Sequence, residues 1–194
     1  MAELILASTS PYRIALLKQA GYDFDIVKPT IDERRIYSTN PSHTIMKRAM
    51  KKLESVCSGR TSGVVISADQ GVDFNGKLIG KPATPEKALK TLMMIRGKEH
   101  KLITAVVVRN CATGKTLKHL DIHRIKMRNY SKKEAERYIE IDKPLNCAGA
   151  IKIESKGIYL IEKAKGNDYT AIIGLPMMKL TGFLKQFNIY PSWF

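Results

Sequence analysis

Residues 4–13, LILASTSPYR, place a strand-like segment directly before a helix start. Four apolar residues, 4–7, predict a short buried strand. Ser10 is predicted to cap a helix that has Pro11 at its first position, and Gly21 is predicted to end it. This succession of strand, turn and helix is typical of an α/β protein.

Similar start signals recur along the chain and are separated by strand-like segments. Helices are predicted to begin at Asn40-Pro41, at Thr84-Pro85, at the capping-box spacing of Ser131 and Glu134, and after Gly174-Leu175-Pro176. Strands are predicted at 64–66, 101–109, 115–128 and 158–162, with a hairpin turn at Asn75-Gly76 and a bulge near His123-Arg124. Because helices and strands alternate while hairpins occupy the middle, we expect one α/β domain, residues 1–194, with a mixed sheet.

The composition is that of a globular protein. With 194 residues, 44% of them apolar and 26% charged, it excludes a disordered or fibrous chain. No apolar run approaches the ~18 residues of a membrane span, and Met1-Ala2-Glu3 lacks the basic start of a signal peptide. Three scattered cysteines without a C-x-x-C pair support neither a disulfide framework nor a zinc or redox motif. We therefore expect a cytoplasmic protein with reduced thiols.

The charge balance is strongly positive, since 33 Lys and Arg against 18 Asp and Glu give a formal net charge of +15. Such a balance favours a polyanionic partner, for which nucleic acid, nucleotides and phosphorylated surfaces are the alternatives. The basic residues are spread along the whole chain and form no basic tail. A spread of this kind is more typical of a solvated surface than of a nucleic-acid-binding stripe.

The segment after the first predicted strand has the composition of an anion site. Ser8, Thr9 and Ser10 supply hydroxyls at the predicted helix start, and Arg13 adds a guanidinium in its first turn. Free backbone N–H groups, hydroxyls and a guanidinium together bind phosphate or carboxylate groups. An ordinary capped helix with a solvated arginine is the alternative.

Separated carboxylates follow predicted elements elsewhere. Asp32-Glu33 lies in a loop, and Asp69 ends an apolar strand, where ligands commonly bind in α/β proteins. Such carboxylates can hold a divalent cation through their oxygens, or they can be solvated turn residues, an alternative that fits Asp69 least. Lys81, between Gly80 and Pro82, has a restrained backbone and is a candidate phosphate ligand or an ordinary turn lysine. The glycine-rich phosphate motifs and histidine metal spacings are absent from the sequence.

Six segments occur in a characteristic order: LASTSPYR (6–13), Asp32-Glu33, SADQGV (67–72), GKP (80–82), LNCAGAIKIES (145–155) and GLP (174–176). In this order and spacing the chain resembles the Maf (septum-formation protein) family of nucleoside triphosphate pyrophosphatases, from residue 4 to about residue 185. The resemblance implies a mixed, elongated β-sheet with flanking helices and two lobes around a cleft, as in ITPase-like folds, in a homodimer. It also implies hydrolysis of a nucleoside triphosphate to the monophosphate and pyrophosphate with a divalent cation (Mg²⁺, Mn²⁺ or Co²⁺).

Carried over residue by residue, the resemblance implies roles for ten side chains. Asp69 matches the family's proton acceptor, and Glu33 matches an acid at the metal and phosphate site, so both are expected metal ligands. The side chains expected to face the triphosphate are Ser8, Ser10, Arg13, Lys52 and Lys81. The positions associated with substrate choice are Tyr12, Gln70 and Glu154, which together with LNCAG resemble the 7-methyl-GTP pyrophosphatase branch.

One other activity and two non-catalytic roles remain as alternatives. The branch that takes dTTP and UTP carries Arg, Thr and Gln at the three specificity positions, and this chain departs from the 7-methyl-GTP branch at Leu53, Ala150-Ile151 and Lys156. The net charge motivates a basic nucleic-acid-binding module, but aromatics are few and no helix-turn-helix, RNA-binding or zinc signature is present. A regulator of cell division, suggested only by the family's name, would need a partner surface that the sequence does not reveal.

Overall fold

The computed structural model describes residues 3–194, except for the side chain of Arg34. The α-helices of this part are α1 (Pro11–Gln19), α2 (Pro41–Cys57), α3 (Pro85–Ile95), α4 (Lys132–Asp142), α5 (Tyr169–Ile173) and α6 (Met177–Lys185). Its strands are β1 (Leu4–Leu6), β2 (Asp25–Ile26), β3 (Val64–Phe74), β4 (Lys77–Ile79), β5 (Glu99–Asn110), β6 (Thr116–Met127) and β7 (Ile161–Lys165). Short 3₁₀ turns are formed by Glu33–Arg35, Pro144–Asn146, Ala148–Ala150 and Lys156–Leu160.

The strands form one mixed sheet in the order β2-β1-β3-β5-β6-β7, and β4 also pairs with β3. β1 is parallel to both β2 and β3, with Leu4 opposite Val64. The pairs β3–β4 and β6–β7 are antiparallel. Parallel neighbours at one end and hairpins elsewhere confirm the predicted mixed α/β class.

The chain divides into two compact units, to which β3, β5 and β6 all contribute residues. The first unit holds the residues up to Asp69 together with Thr104–Asp121 and Asp168–Phe194. Its core is an apolar cluster in which β1 and β3 side chains such as Leu6 and Ile66 pack with Leu17 of α1 and with Leu180 and Leu184 of α6. Burial of these aliphatic side chains stabilises the strand ends from which the candidate site is built.

The second unit holds Gln70–Ile103 and Ile122–Asn167. Here α3 packs on α4, and the buried Tyr130 hydroxyl donates a hydrogen bond to the Leu92 carbonyl of α3 at 2.7 Å. The expectation of a single domain stays a prediction. No helix among residues 3–194 combines the length and apolar character needed to cross a membrane.

Most predicted element starts are confirmed. The Asn40 side chain accepts from the Ser42 amide at the start of α2, and Thr84 caps α3. Ser131 and Glu134 form a complete capping box at α4. The predicted Asn75-Gly76 turn joins β3 to β4 with positive φ at both residues, as the right-handed twist of a hairpin requires.

Two local predictions need correction. Ser10 occupies the N-cap position of α1, but its side chain makes no capping hydrogen bond. The strand predicted at 158–162 is a 3₁₀ turn up to Leu160, and β7 begins only at Ile161. The bulge expected near His123-Arg124 stays a prediction, and the pairing of β6 with β7 has an irregularity between Lys126 and Met127.

Candidate functional site

A buried ion pair lies at Asp69, the last residue of β3 that belongs to the first unit. Asp69 is 5% exposed, and its Oδ1 accepts a hydrogen bond from Nζ of Lys52 in α2 at 2.6 Å. Lys52 itself is only 7% exposed. Because an isolated buried charge is strongly unfavourable, each of these two groups compensates the burial of the other.

A second carboxylate shares the same ammonium group. Glu33 Oε1 lies 2.8 Å from Lys52 Nζ, and the Glu33 side chain remains about half exposed. Asp69 Oδ2, in contrast, is buried and accepts no hydrogen bond from any residue that the structure describes. Buried polar atoms normally have partners, so an unpartnered carboxylate oxygen marks a place where a water, ion or substrate group belongs.

The packing of α2 on β3 explains why Lys52 faces Asp69. Lys52 follows Ala49 by one helical turn and precedes Leu53, and all three are buried on the same side of α2. The buried Ser67 hydroxyl of β3 donates to the Ala49 carbonyl at 2.8 Å, which ties the helix to the strand two residues before Asp69. The apolar spacing of α2 therefore delivers a lysine to the strand end.

Arg13 is held rigidly at the start of α1. Its Nε donates to the Gly174 carbonyl at 2.9 Å, and its Nη1 donates to the Ala68 carbonyl at 2.9 Å. Nη1 also donates to the Ser8 hydroxyl at 3.2 Å, and the same hydroxyl accepts from the Ser10 amide. All three acceptors of the guanidinium are neutral oxygens, so the bonds fix its position without cancelling its charge.

Burial and nearby carboxylates act in opposite directions on Arg13. Desolvation lowers the pKa of the guanidinium, while the charges of Asp69 and, more weakly, Glu33 raise it. These same carboxylates converge on Lys52. The first unit thus concentrates two cations and two anions around the end of β3, an arrangement suited to a polyanion and a proton-accepting group.

The structure brings together five of the predicted site residues: Ser8, Arg13, Glu33, Lys52 and Asp69. Two others belong to the same unit, and both Ser10 and Tyr12 are half-buried near the start of α1. The remaining three belong to the second unit: Gln70, Lys81 and Glu154. From the sequence, Gly174 is part of a predicted helix start and of the GLP segment but has no role in the site, whereas in the structure its carbonyl accepts a hydrogen bond from Arg13.

Within the second unit, the loop of Lys81 is tied to the LNCAG segment. The Gly149 amide donates to the Gly80 carbonyl at 3.3 Å, and the Ala83 amide donates to the Leu145 carbonyl at 3.1 Å. Both bonds flank Lys81, which is exposed. Gly149 has a positive φ, and a Cβ there would lie 2.8 Å from a methyl group of Val72, so the close approach of this segment to β3 requires glycine.

The carboxylates also fit a divalent cation. Among residues 3–194, no group of three His, Cys, Asp or Glu side chains could hold a metal ion. Mg²⁺ and Mn²⁺, however, commonly use one or two carboxylates and complete their shell with water and substrate phosphates. Asp69, with its unpartnered Oδ2, and Glu33 supply such a pair of oxygen donors.

Comparison with known proteins identifies the family. The profile of the family described as Maf-like protein matches residues 3–187. The chain belongs to this family. The match covers all the residues of the site described above, and it confirms the resemblance drawn from the six sequence segments.

Relatives of this Maf protein carry two different names. A 7-methyl-GTP pyrophosphatase from Bdellovibrio bacteriovorus is 38% identical over 187 residues, which cover 96% of this chain and 98% of the relative. A dTTP/UTP pyrophosphatase from Dictyoglomus thermophilum is also 38% identical, over 185 residues and 95% of each chain. Among solved structures, a HAM1 protein from Coxiella burnetii is similar over 67% of this chain and 75% of that chain, with a TM-score of 0.44 and 15% identity.

Proposed function

We propose that this Maf protein is a nucleoside triphosphate pyrophosphatase that hydrolyses 7-methyl-GTP, or a related modified nucleotide, to the monophosphate and pyrophosphate. The observation that carries the proposal is the buried Asp69 carboxylate, whose Oδ1 is held by Lys52 while Oδ2 has no partner among the described residues. Such an oxygen is available to a reacting water molecule. The family and the names of its relatives supply the nucleotide chemistry.

The triphosphate is bound by cations and hydroxyls. Arg13, fixed by three neutral acceptors, retains a full positive charge for phosphate oxygens. The hydroxyl of Ser10, which is not used to cap α1, is free to donate to a phosphate. Ser8 orients Arg13, and Lys52 and Lys81 add further positive charge. The negative charge of the triphosphate offsets the mutual repulsion of these positively charged side chains.

Hydrolysis requires one proton acceptor. A water oxygen attacks the α-phosphorus and forms the new P–O bond, while the bond from that phosphorus to the bridging oxygen of the β-phosphate breaks. Asp69 Oδ2 takes the proton of the attacking water, and pyrophosphate leaves with the electrons of the broken bond. Lys52 holds Asp69 in one orientation, because its ammonium occupies Oδ1.

A divalent cation is part of the proposal. When bound, it neutralises charge that develops on the phosphoryl oxygens. Glu33 and Asp69 would hold it, and substrate oxygens would complete its shell. The Lys52 ammonium keeps these two carboxylates close together before substrate binds.

Substrate choice is assigned to three residues. The 7-methylguanine ring carries a positive charge, so the ring of Tyr12 can stack on it with a cation–π component. The exposed Glu154 carboxylate can accept hydrogen bonds from the guanine edge and offset that charge, and Gln70 supplies a neutral amide. The dTTP/UTP branch is favoured as the alternative by a relative of equal identity, so these three residues, not overall similarity, support the choice of 7-methyl-GTP.

We further propose that the protein acts as a homodimer in the cytoplasm and folds as one domain. The resemblance to the Maf family supports the homodimer. The thiols of Cys57, Cys111 and Cys147 fit a reducing compartment. Strands β3, β5 and β6, which contribute to both units, support the single domain.

The experiment is a measurement of pyrophosphate release from 7-methyl-GTP, GTP, dTTP, UTP and CTP with Mg²⁺ or Mn²⁺. We expect the highest kcat/KM for 7-methyl-GTP, and loss of about 100-fold or more in kcat for Asp69→Asn, since a general base contributes ~10²–10⁴-fold. Asp23→Asn, which alters an exposed acid of the same unit, is the matched control and keeps full activity.

Each other outcome discriminates between the alternatives. Preference for dTTP or UTP retains the mechanism and overturns the assignment of Tyr12, Gln70 and Glu154. Absence of release from every nucleotide, with a folded protein, overturns the proposed function. Salt-sensitive binding to single-stranded or double-stranded nucleic acid would then favour the nucleic-acid-binding module.

A further inference from the structure

The segment that carries Glu154 is a single tight turn. Residues Lys152 to Ser155 form it, with the Ser155 amide donating to the Lys152 carbonyl at 3.2 Å. Glu154 is exposed at the third position of this turn. A Cβ at Gly157 would overlap the Lys152 carbonyl, so the chain folds back on itself directly after the turn. Glu154 therefore projects from a loop whose backbone is constrained at both ends.

The last residue of α4 fixes this turn with both of its carboxylate oxygens. Asp142 Oδ1 accepts from the Ser155 hydroxyl at 2.7 Å, and Oδ2 accepts from the Lys156 amide at 3.1 Å. The Asp142 backbone carbonyl accepts from Lys152 Nζ. Asp142 thus contacts the residues that begin, end and follow the turn, but not Glu154.

Tyr138, one helical turn earlier in α4, secures the entry of the turn. Its buried hydroxyl oxygen accepts from the Lys152 amide at 2.9 Å. Asp142 is only 9% exposed, although it carries a charge. A buried carboxylate is unfavourable unless its hydrogen bonds are made, and both carboxylate oxygens of Asp142 accept hydrogen bonds from the loop of Glu154.

We propose that Asp142 is a positioning residue for substrate choice, which holds the turn Lys152–Ser155 so that Glu154 presents its carboxylate to the base of the nucleotide. This inference rests on the proposed function, since it assigns a task to the specificity residue of the same enzyme. A carboxylate on a mobile turn would have to lose conformational freedom on binding, and a turn held in advance avoids that loss. Asp142 acts through Glu154 and touches no substrate.

The test separates this role from a merely structural one. Asp142→Asn preserves size and one acceptor oxygen, but its amide nitrogen cannot accept the Lys156 N–H. We expect KM for 7-methyl-GTP to rise ~10-fold, as for loss of one hydrogen bond that leaves a buried group unpaired, with kcat changed less than twofold. KM for CTP should stay within twofold. Glu140→Gln, an exposed acid of α4 paired with Arg137, is the matched control and leaves both constants unchanged.

A double-mutant cycle tests whether the effect passes through Glu154. In the Glu154→Gln background, Asp142→Asn should change KM for 7-methyl-GTP less than twofold. Equal KM effects in both backgrounds would overturn the inference, and so would an equal loss of kcat for every nucleotide. Ser155→Ala deletes only the hydrogen bond to Asp142 Oδ1 and should raise KM for 7-methyl-GTP ~3-fold. This variant replaces Asp142→Asn in the test if Asp142→Asn does not fold.

Hydrogen exchange gives a readout that needs no substrate. Peptides covering residues 152–157 should exchange ~10-fold faster in Asp142→Asn, while peptides of α3 are unchanged. Faster exchange with unaltered nucleotide selectivity would show a structural role alone and overturn the inference, leaving the proposed function intact. A wild-type protein that releases no pyrophosphate from any nucleotide would instead overturn the proposed function, and this inference with it.

Discussion

Lys52 and Lys81 are both candidate phosphate ligands, but the two units of the molecule hold them in opposite ways. Lys52 is buried and contacts carboxylates from two distant segments, Glu33 and Asp69. Lys81 is exposed on a loop, and the order there comes from backbone hydrogen bonds on either side of it. At Lys52 function and stability depend on the same side chain, whereas the exposed Lys81 side chain can be changed with little effect on folding.

The same contrast separates the other candidate residues. Arg13 of the first unit is bonded to carbonyls more than 50 residues away in the sequence. Glu154 of the second unit is exposed, and its position is set by neighbours of the turn rather than by bonds of its own carboxylate. A buried network constrains every member at once, so Arg13 suits a binding task common to all substrates, whereas the exposed Glu154 suits a variable one.

The largest difference in the free energy of unfolding is expected between variants that remove the positive charge of Lys52 or of Lys81. Lys52→Met leaves Asp69 buried without its cation, so the free energy of unfolding should fall by about 3–5 kcal/mol, the cost of breaking a buried ion pair. Lys81→Met, at an exposed position, should change it by at most about 0.5 kcal/mol. Urea unfolding followed by circular dichroism measures both values.

The comparison would fail if the two variants lost equal stability. Lys52→Met combined with Asp69→Asn is the control, because removal of both charges should recover part of the loss. A double variant no more stable than Lys52→Met would show that the ion pair is not the cause.

A buried histidine of the second unit, His100, sharpens the contrast. His100 of β5 is 4% exposed, and its Nδ1 has no hydrogen-bond partner among residues 3–194. Burial lowers the pKa of the imidazole from 6.5 to about 4, and Glu99 acts weakly in the opposite direction. Above pH 6.5 the His100 imidazole is neutral in both the folded and the unfolded state. As the pH falls from 6.5 towards 4, only the unfolded state takes up the proton, so stability is lost in this window.

We expect wild-type protein to lose about 2–3 kcal/mol more stability than His100→Phe between pH 7 and pH 4.5, given about 1.4 kcal/mol per pKa unit. Urea unfolding at the two pH values measures the difference. Parallel loss of stability in both proteins would show that His100 is protonated in the folded state. His43→Phe, which alters an exposed histidine of the first unit, is the control and should follow the wild-type curve.

Local signals predicted the elements that are specified within a few residues. The helix starts at Asn40 and Ser131 and the Asn75-Gly76 turn depend on side chains next to one another, and the structure confirms them. The apolar run around Ile158 has the composition of a strand, but Ile158 is exposed in a 3₁₀ turn, since tertiary packing and not composition selects its state. Strand β2 has two exposed residues, too few for any periodic signal.

The candidate site was predictable only in part for the same reason. Asp69 follows an apolar strand, and the helical spacing of Lys52 with Ala49 and Leu53 could have shown that it is buried. The bond of Arg13 to Gly174 joins segments 161 residues apart, so no local pattern specifies it. Asp142 lies at the end of a helix with no distinguishing motif, and only its contacts reveal its task.

The smallest expected effect concerns two serines that the sequence treats alike. Ser131 caps α4 through a capping box, whereas Ser10 occupies the same position of α1 without a capping bond. Ser131→Ala should therefore lower the free energy of unfolding by about 1 kcal/mol, and Ser10→Ala by less than half as much. Thermal unfolding of the two variants measures the difference.

Activity should respond in the opposite order. Under the proposed function the Ser10 hydroxyl binds phosphate, so Ser10→Ala should lower kcat/KM for 7-methyl-GTP by about 10- to 100-fold, the effect of one hydrogen bond to a charged group. Ser131→Ala should leave kcat/KM unchanged. Equal stability losses in the two variants would show that the Ser10 side chain caps α1 in solution. Its hydroxyl would then bond to the helix backbone, as that of Ser131 does, and would not be available to the substrate.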